Sequence, residues 1–202
     1  MLDVPARCAM RVIAGQAHGR RLKAPRGLTT RPTSARARAS IFSRLQVRLD
    51  FADIRVLDIF AGSGSLSCEA LSRGAAHATL VDSSRAATAA IAANLAALGL
   101  AGRARIINAD VFRALDDLGA AGSSFDLIFI DAPFKNDLSA AVLERVAMLG
   151  LAAVGGWIVV GQSKRAPAAP DAPAGLERTN IANLGDHRIA FYRRPDAAPG
   201  GS

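Results

Sequence analysis

The chain has 202 residues, half of them apolar, and a formal net charge of +8. That is enough apolar material for one α/β domain with a modest extension, and too much for a chain disordered throughout. No apolar run reaches the length of a membrane span, no signal-peptide core opens the chain, and Cys8 and Cys68 have neither the count nor the spacing of a disulfide framework or a zinc site. The expectation is a soluble cytoplasmic protein with reduced thiols.

The charge is placed unevenly. Residues 1–48 carry 11 Lys or Arg against Asp3 alone, which leaves the remainder slightly acidic. A concentrated basic block is the footprint of a polyanion, most simply nucleic acid, since each phosphate contact releases counterions. An Arg-rich solubilising surface is the alternative, and the asymmetry argues against it because a compositional bias would load both halves.

In chain order, Arg11 to Ala14 reads as a short strand, Gly15 to Gly19 as a turn and Arg21 to Lys23 as a returning strand, a small basic hairpin. Pro25 to Pro32 is a loop. Thr33 or Ser34 can cap a helix to about Leu49, with Ile41, Phe42, Leu45 and Leu49 on its core face and Arg36, Arg38 and Arg44 pointing elsewhere. From Ile54 the pattern alternates: strand to Ile59, helix Gly64 to Arg73, strand Ala78 to Val81, helix Arg85 to Leu98, strand Arg105 to Ile107, strand Phe125 to Ile130, helix Leu138 to Leu149, strand Trp157 to Val160. Alternation of this kind predicts a mostly parallel sheet with helices on both faces. After a Pro/Ala-rich loop, Ala166 to Gly175, strands near Leu176 to Ile181 and Arg188 to Tyr192 have no helix between them and so pair antiparallel at the sheet edge. The division is 1–50, a basic extension leaning on the main domain; 51–195, the main domain; and 196–202, a disordered tail.

The stretch Arg55 to Ser65, R-V-L-D-I-F-A-G-S-G-S, runs strand, glycine turn, helix. Gly62 and Gly64 let the backbone come close to a ligand at a helix start with free N–H groups. Dinucleotide sites add a third glycine where this chain has Leu66-Ser67, and Asp58 at the strand end suits a cationic or hydroxyl-bearing ligand better than a pyrophosphate. That favours S-adenosylmethionine over NAD; a tight turn with no ligand is the bland alternative. Asp82 ends the second strand, 24 residues on, where an acid reaches ribose hydroxyls, and Asp110 ends the third, where it can accept from an adenine amino group. Each alone is equally a cap or a solvated loop acid.

The fourth strand ends in Asp131-Ala132-Pro133-Phe134. An exocyclic amine on a nucleobase is a poor nucleophile because its lone pair is delocalised, and acceptors for its two N–H groups favour the pyramidal, reactive form. The Asp131 carboxylate and the Ala132 carbonyl can be those acceptors, Pro133 stiffens the turn and Phe134 can stack on the base; an ordinary Asp-x-Pro turn is the alternative. His18, His77 and His187 show no metal spacing and are expected at the surface or in packing, and Trp157 is expected in the core.

R-V-I-A-G-x-x-x-G-R-R-L at Arg11 to Leu22, R-P-T at Arg31 to Thr33, R-x-S-I-F at Arg38 to Phe42, L-D-I-F-A-G-S-G-S-L, E-A-L-S-R-G-A at Glu69 to Ala75, D-A-P-F and G-D-H-R-I-A-F-Y-R at Gly185 to Arg193 together resemble the bacterial RsmD family. The resemblance covers nearly the whole chain. It implies a Rossmann-like class I fold, with a seven-stranded, mostly parallel sheet, a C-terminal antiparallel hairpin and an N-terminal hairpin and helix. The implied activity is S-adenosylmethionine-dependent methylation of guanine N2 in 16S ribosomal RNA, within a small-subunit assembly particle, by a monomer without metal. It also implies that Asp58, Phe60, Ala61, Gly62 and Gly64 line the methionine end, Asp82 the ribose, Asp110 and Val111 the adenine, and that Asp131, Ala132, Pro133 and Phe134 hold the guanine. Arg11, Arg20, Arg21, Lys23, Arg31, Arg36 and Arg38 are the implied RNA contacts. Two departures stand out: Ala132 replaces the family's first proline, and Ala35 and Ala39 replace acids. Lost stiffness at residue 132 costs about 0.4–1 kcal/mol, small beside the roughly 8 kcal/mol or more of enzymatic acceleration, so the change slows rather than silences. An adenine-N6 methyltransferase and a non-catalytic RNA-binding module are the rival readings; an NAD-linked oxidoreductase is remote.

Overall fold

Seven strands form one sheet in the order β3-β2-β1-β4-β5-β7-β6. The structure, a computed structural model, describes residues 10–25, 35–133, 138–165, 170, 173 and 175–196. The strands are β1 (Arg55–Ile59), β2 (His77–Val81), β3 (Ala104–Ile107), β4 (Phe125–Asp131), β5 (Ala152–Ser163), β6 (Glu177–Leu184) and β7 (His187–Arg193). The first five are parallel, and β7 runs antiparallel between β5 and β6. This is the predicted doubly wound sheet closed by an antiparallel hairpin. Helix α1 (Ala35–Leu45), α2 (Ser65–Ser72) and α3 (Arg85–Leu98) cover one face; α4 (Val111–Ala120) and α5 (Ser139–Met148) cover the other.

The burial follows from the strand sequences. Val56, Leu57, Ile59, Leu127, Ile128, Phe129 and Ile130 are buried on both faces of the central strands, as a helix-covered parallel sheet requires. Val12, Leu22, Ile41, Phe42 and Leu45 from the extension join the same core cluster as Val56, Leu71, Ile91 and Phe129. The extension therefore has no core of its own.

Four elements depart from expectation. Helix α1 ends at Leu45 rather than near Leu49, and Leu49 packs against the core from beyond the turn that follows. Helix α4 is absent from the predicted elements; of the two readings open for Asp110 the cap is realised, since its Oδ1 accepts from the backbone N–H groups of Phe112 and Arg113 and starts the helix. Strand β5 begins five residues earlier than predicted, because Gly155 and Gly156 carry a register shift rather than ending the strand. The N-terminal hairpin is a single bridge, Arg11 to Arg21, and not two strands. Val12, Gly19 and Leu22 still donate across it, while the N–H groups of Ile13, Ala14 and Ala17 turn to the side chains of α2. The proposed helix cap at Thr33 or Ser34, most of the loops at 25–32 and 166–175, Arg31, Phe134 and the tail after Asp196 lie outside the described residues. Among the described residues no helix is long and apolar enough to cross a membrane.

Candidate active site

At the carboxyl end of β1 the chain turns through left-handed backbone at Phe60 (φ 61°), Gly62 (57°) and Gly64 (72°). For a bulky residue such as Phe60 that conformation stores about 1–3 kcal/mol, held by packing against the α4/α5 face of the core. At Gly64 there is also no room: a Cβ would lie 3.1 Å from Leu80 Cδ2 and 3.3 Å from Ile91 Cγ1. The loop is braced from β2. Asp82 Oδ2 accepts from the Gly62 N–H at 2.8 Å and Oδ1 from Ser84 N–H at 2.9 Å. Each oxygen keeps lone-pair capacity for a hydroxyl donor.

Asp58, at the same end of β1, is 1% exposed and accepts from the backbone and hydroxyl of Ser67 at 3.2 and 2.8 Å. Its carboxyl is raised to about 7: burial is the main cause, the two Ser67 bonds oppose it, and the nearby Asp131 and Asp82 charges add to it. A cation placed among these acids would reverse that push. Asp110 is exposed and caps α4 with Oδ1; Val111 behind it is buried. Asp58, Asp82 and Asp110 thus end three adjacent strands in the order β1, β2, β3, with Phe60, Ala61, Gly62 and Gly64 forming the turn between the first two.

On the other side of β1, β4 delivers Asp131, half-buried, then Ala132, 4% exposed, and Pro133, exposed. Asp131 shares a narrow cavity with Gly161, His187 and Ile189 on β5 and β7, roofed by Ala37 and Ile41 of α1. His187, expected at the surface or in packing, faces the same space as Asp131. Only strand register could have revealed that, since His187 and Asp131 are 56 residues apart in sequence. Trp157 is buried in the sheet as expected. Cys68 is a buried free thiol that burial pushes up to about 12. Among the described residues no three His, Cys, Asp or Glu side chains gather into a metal site.

The basic residues divide. Arg11, Arg20, Arg21, Lys23 and Arg36 are exposed. Arg11 Nη1 caps the Gly19 carbonyl and Arg20 Nη2 the Ala97 carbonyl, so both are already oriented. Arg38 corrects the sequence reading: it is 1% exposed, donating Nη2 to the Arg11 carbonyl at 2.7 Å, with Glu69 among its charged neighbours. The side chain faces the α1–α2 interface because residue 38 lies on the same helix face as Ile41, Phe42 and Leu45. It fastens the extension and is removed from the surface set.

Sequence reasoning missed the fastenings on the other side of that interface. Glu69, fully buried on α2, accepts from Ile13 N–H at 2.6 Å, Ala14 N–H at 3.0 Å and Arg73 Nε at 2.8 Å. Ser72 Oγ accepts from Ala17 N–H and donates to the Ala14 carbonyl. Asn94 on α3 pairs with both backbone groups of Lys23 and donates to the Ser63 carbonyl in the glycine loop. The E-A-L-S segment was quoted for its pattern; its polar residues are receptors for distant backbone.

A left-handed glycine turn tightly packed at Gly64, a brace from the second strand and an acid row over adjacent strand ends fit S-adenosylmethionine at β1–β3, and the sheet is that of the class I methyltransferases that use it. The protein is of that class. The chain belongs to the RsmD/YlbH family, described as "Conserved hypothetical protein 95", whose profile matches residues 10–193. It is similar to Bacillus subtilis YlbH, with 35% identity over 92% of this chain and 99% of that protein. It is also similar to the Escherichia coli "Ribosomal RNA small subunit methyltransferase D", with 41% identity over 64% of this chain and 62% of that one. The solved structure of Escherichia coli yhhF superposes with a TM-score of 0.79 at 33% identity, covering 94% of this chain and 99% of that one.

Proposed function

We propose that the protein transfers a methyl group from S-adenosylmethionine to the exocyclic N2 of a guanine in small-subunit ribosomal RNA. The observation that carries this reading is Asp131-Ala132-Pro133 at the end of β4, beside the glycine cradle and beneath a basic extension. The name of the Escherichia coli relative supports the substrate class.

Asp58 and the turn from Phe60 to Gly64 would hold the methionine end, Asp82 the ribose hydroxyls through its remaining lone pairs, and Asp110 with Val111 the adenine edge. When bound, the cofactor supplies an electrophilic methyl on a sulfonium. The Asp131 carboxylate and the Ala132 carbonyl accept the two N–H groups of the amine and turn its lone pair towards that methyl; Phe134 stacks on the base. As the amine nitrogen took the methyl and the sulfonium S–C bond broke to leave a neutral thioether, positive charge would develop on nitrogen; Asp131 would stabilise it from a half-buried position, where the interaction is stronger than in water, until the extra N–H proton passed to solvent. Positioning of this kind is worth about 7–11 kcal/mol. Arg11, Arg20, Arg21, Lys23, Arg31 and Arg36 hold phosphates around a guanine that has left its stack.

The test is methyl transfer from labelled S-adenosylmethionine to small-subunit RNA, naked and in particles from a strain lacking the enzyme, followed by nucleoside analysis. N2-methylguanosine, lost by about 100-fold or more in Asp131→Ala, is the expected result. N6-methyladenosine would replace guanine by adenine as the target, and tight binding of cofactor and RNA with no product would leave a binding module.

A further inference from the structure

Gly161 lies inside β5, where a glycine weakens a strand and calls for a local reason. Its backbone gives none, since Gly161 is not among the residues with positive φ. The reason is its neighbour across the sheet. Gly161 pairs with Asp131 in the β4–β5 ladder, and a Cβ on Gly161 would lie 2.5 Å from Asp131 Oδ1 and 3.4 Å from Asp131 Cγ. The next atom, the Ile130 carbonyl oxygen, is 3.8 Å away. The space left by the missing side chain is filled by one group, the Asp131 carboxylate.

We propose that Gly161 is a positioning residue for methyl transfer: by lacking a side chain it lets the Asp131 carboxylate lean over β5. This inference rests on the role of Asp131 argued above. The sheet order explains what the lean achieves. Strand β4 lies between β1, which carries Asp58, and β5, which carries Gly161. A carboxylate leaning towards β5 moves away from Asp58, whose ionisation it already opposes, and leaves the end of β4 open for an amine between the cofactor cradle and Asp131. A methyl at residue 161 turns the carboxylate back towards β1. There it adds to like charge and occupies the space of the nucleophile. The recess that Asp131 shares with Gly161 and His187 is lined on the α1 side by Ala37 and Ile41, which keeps the carboxylate from moving towards that helix.

The test is a cycle of four proteins: wild type, Gly161→Ala, Asp131→Ala and the double variant, assayed for methyl transfer to small-subunit RNA and for S-adenosylhomocysteine affinity. A displacement of about 1 Å costs on the order of 100-fold, so Gly161→Ala should lose about that factor in kcat, with KM for RNA and S-adenosylhomocysteine affinity unchanged within about twofold. In the Asp131→Ala background the same methyl should cost nothing further. If Gly161→Ala does not fold, the double variant must fold, because the clashing group is gone. Wild-type kcat in Gly161→Ala, or losses that multiply in the double variant, overturns the proposal while leaving Asp131 in its role. Full activity in Asp131→Ala removes both.

Discussion

The cofactor cradle and the basic extension are built in opposite ways. The cradle is largely local: Asp58, Phe60, Gly62, Gly64 and Ser67 lie within ten residues, and of its distant braces Asp82 ends the adjoining strand and Asn94 lies on α3. The extension is held by side chains far along the chain: Glu69, Ser72 and Asn94 lie 55 to 71 positions from the backbone groups they bind. Arg73 adds its guanidinium over the Phe42 ring at 4.9 Å. A motif can be carried by a short peptide stretch; a docked arm needs receptors elsewhere.

The contrast can be broken at its centre by Glu69→Ala, which strands two backbone N–H groups and removes the ion pair to Arg73. Chemical denaturation should show a loss of about 3–5 kcal/mol, and a loss below about 1 kcal/mol would mean the arm is not anchored there. Next in size is the pH response of the cradle. Folding raises the Asp58 carboxyl from 3.8 to about 7, so between those values the folded chain keeps a proton that the unfolded chain releases. Stability should fall as pH rises from about 4 through 7, and Asp58→Asn should remove that slope and be more stable at pH 8 by up to about 4 kcal/mol. Unfolding curves for wild type and variant across that range decide it; parallel curves would disprove it.

Asn94→Ala tests a residue that binds both regions through side-chain hydrogen bonds. Loss of its three hydrogen bonds should cost about 1–3 kcal/mol and, through Ser63, weaken S-adenosylhomocysteine binding measured by calorimetry. Ser72→Ala, which touches only the extension, should leave that binding as it was; equal effects from the two would erase the distinction. The smallest effect belongs to the exposed cations. Charge reversal at Arg21 or Lys23 should weaken RNA binding and lower its salt slope by roughly one per lost phosphate contact, without changing cofactor affinity. A salt slope unmoved by both would place the RNA elsewhere.

Much of this molecule was legible along the chain. Helix α3 runs from Arg85 to Leu98 as the pattern predicts, and the hairpin of β6 and β7 follows from the missing helix between them. Asp110 shows the limit: its type and place suited a ligand acid and a helix cap equally, and only the backbone N–H groups of Phe112 and Arg113 show that it caps. Arg38 shows another, since an arginine in a basic run reads as surface until a neighbouring helix covers it.

By itself the sequence determined the alternation of elements, the glycine turn and the acids at strand ends, because these depend on backbone conformation and on periods of a few residues. Tertiary structure alone decided that Arg38 is interior, that Glu69 and Asn94 receive the extension, and that Gly161 and His187 stand beside Asp131. Those relations depend on which strands become neighbours and which helix covers them. They are set by long-range packing, which no local spacing encodes.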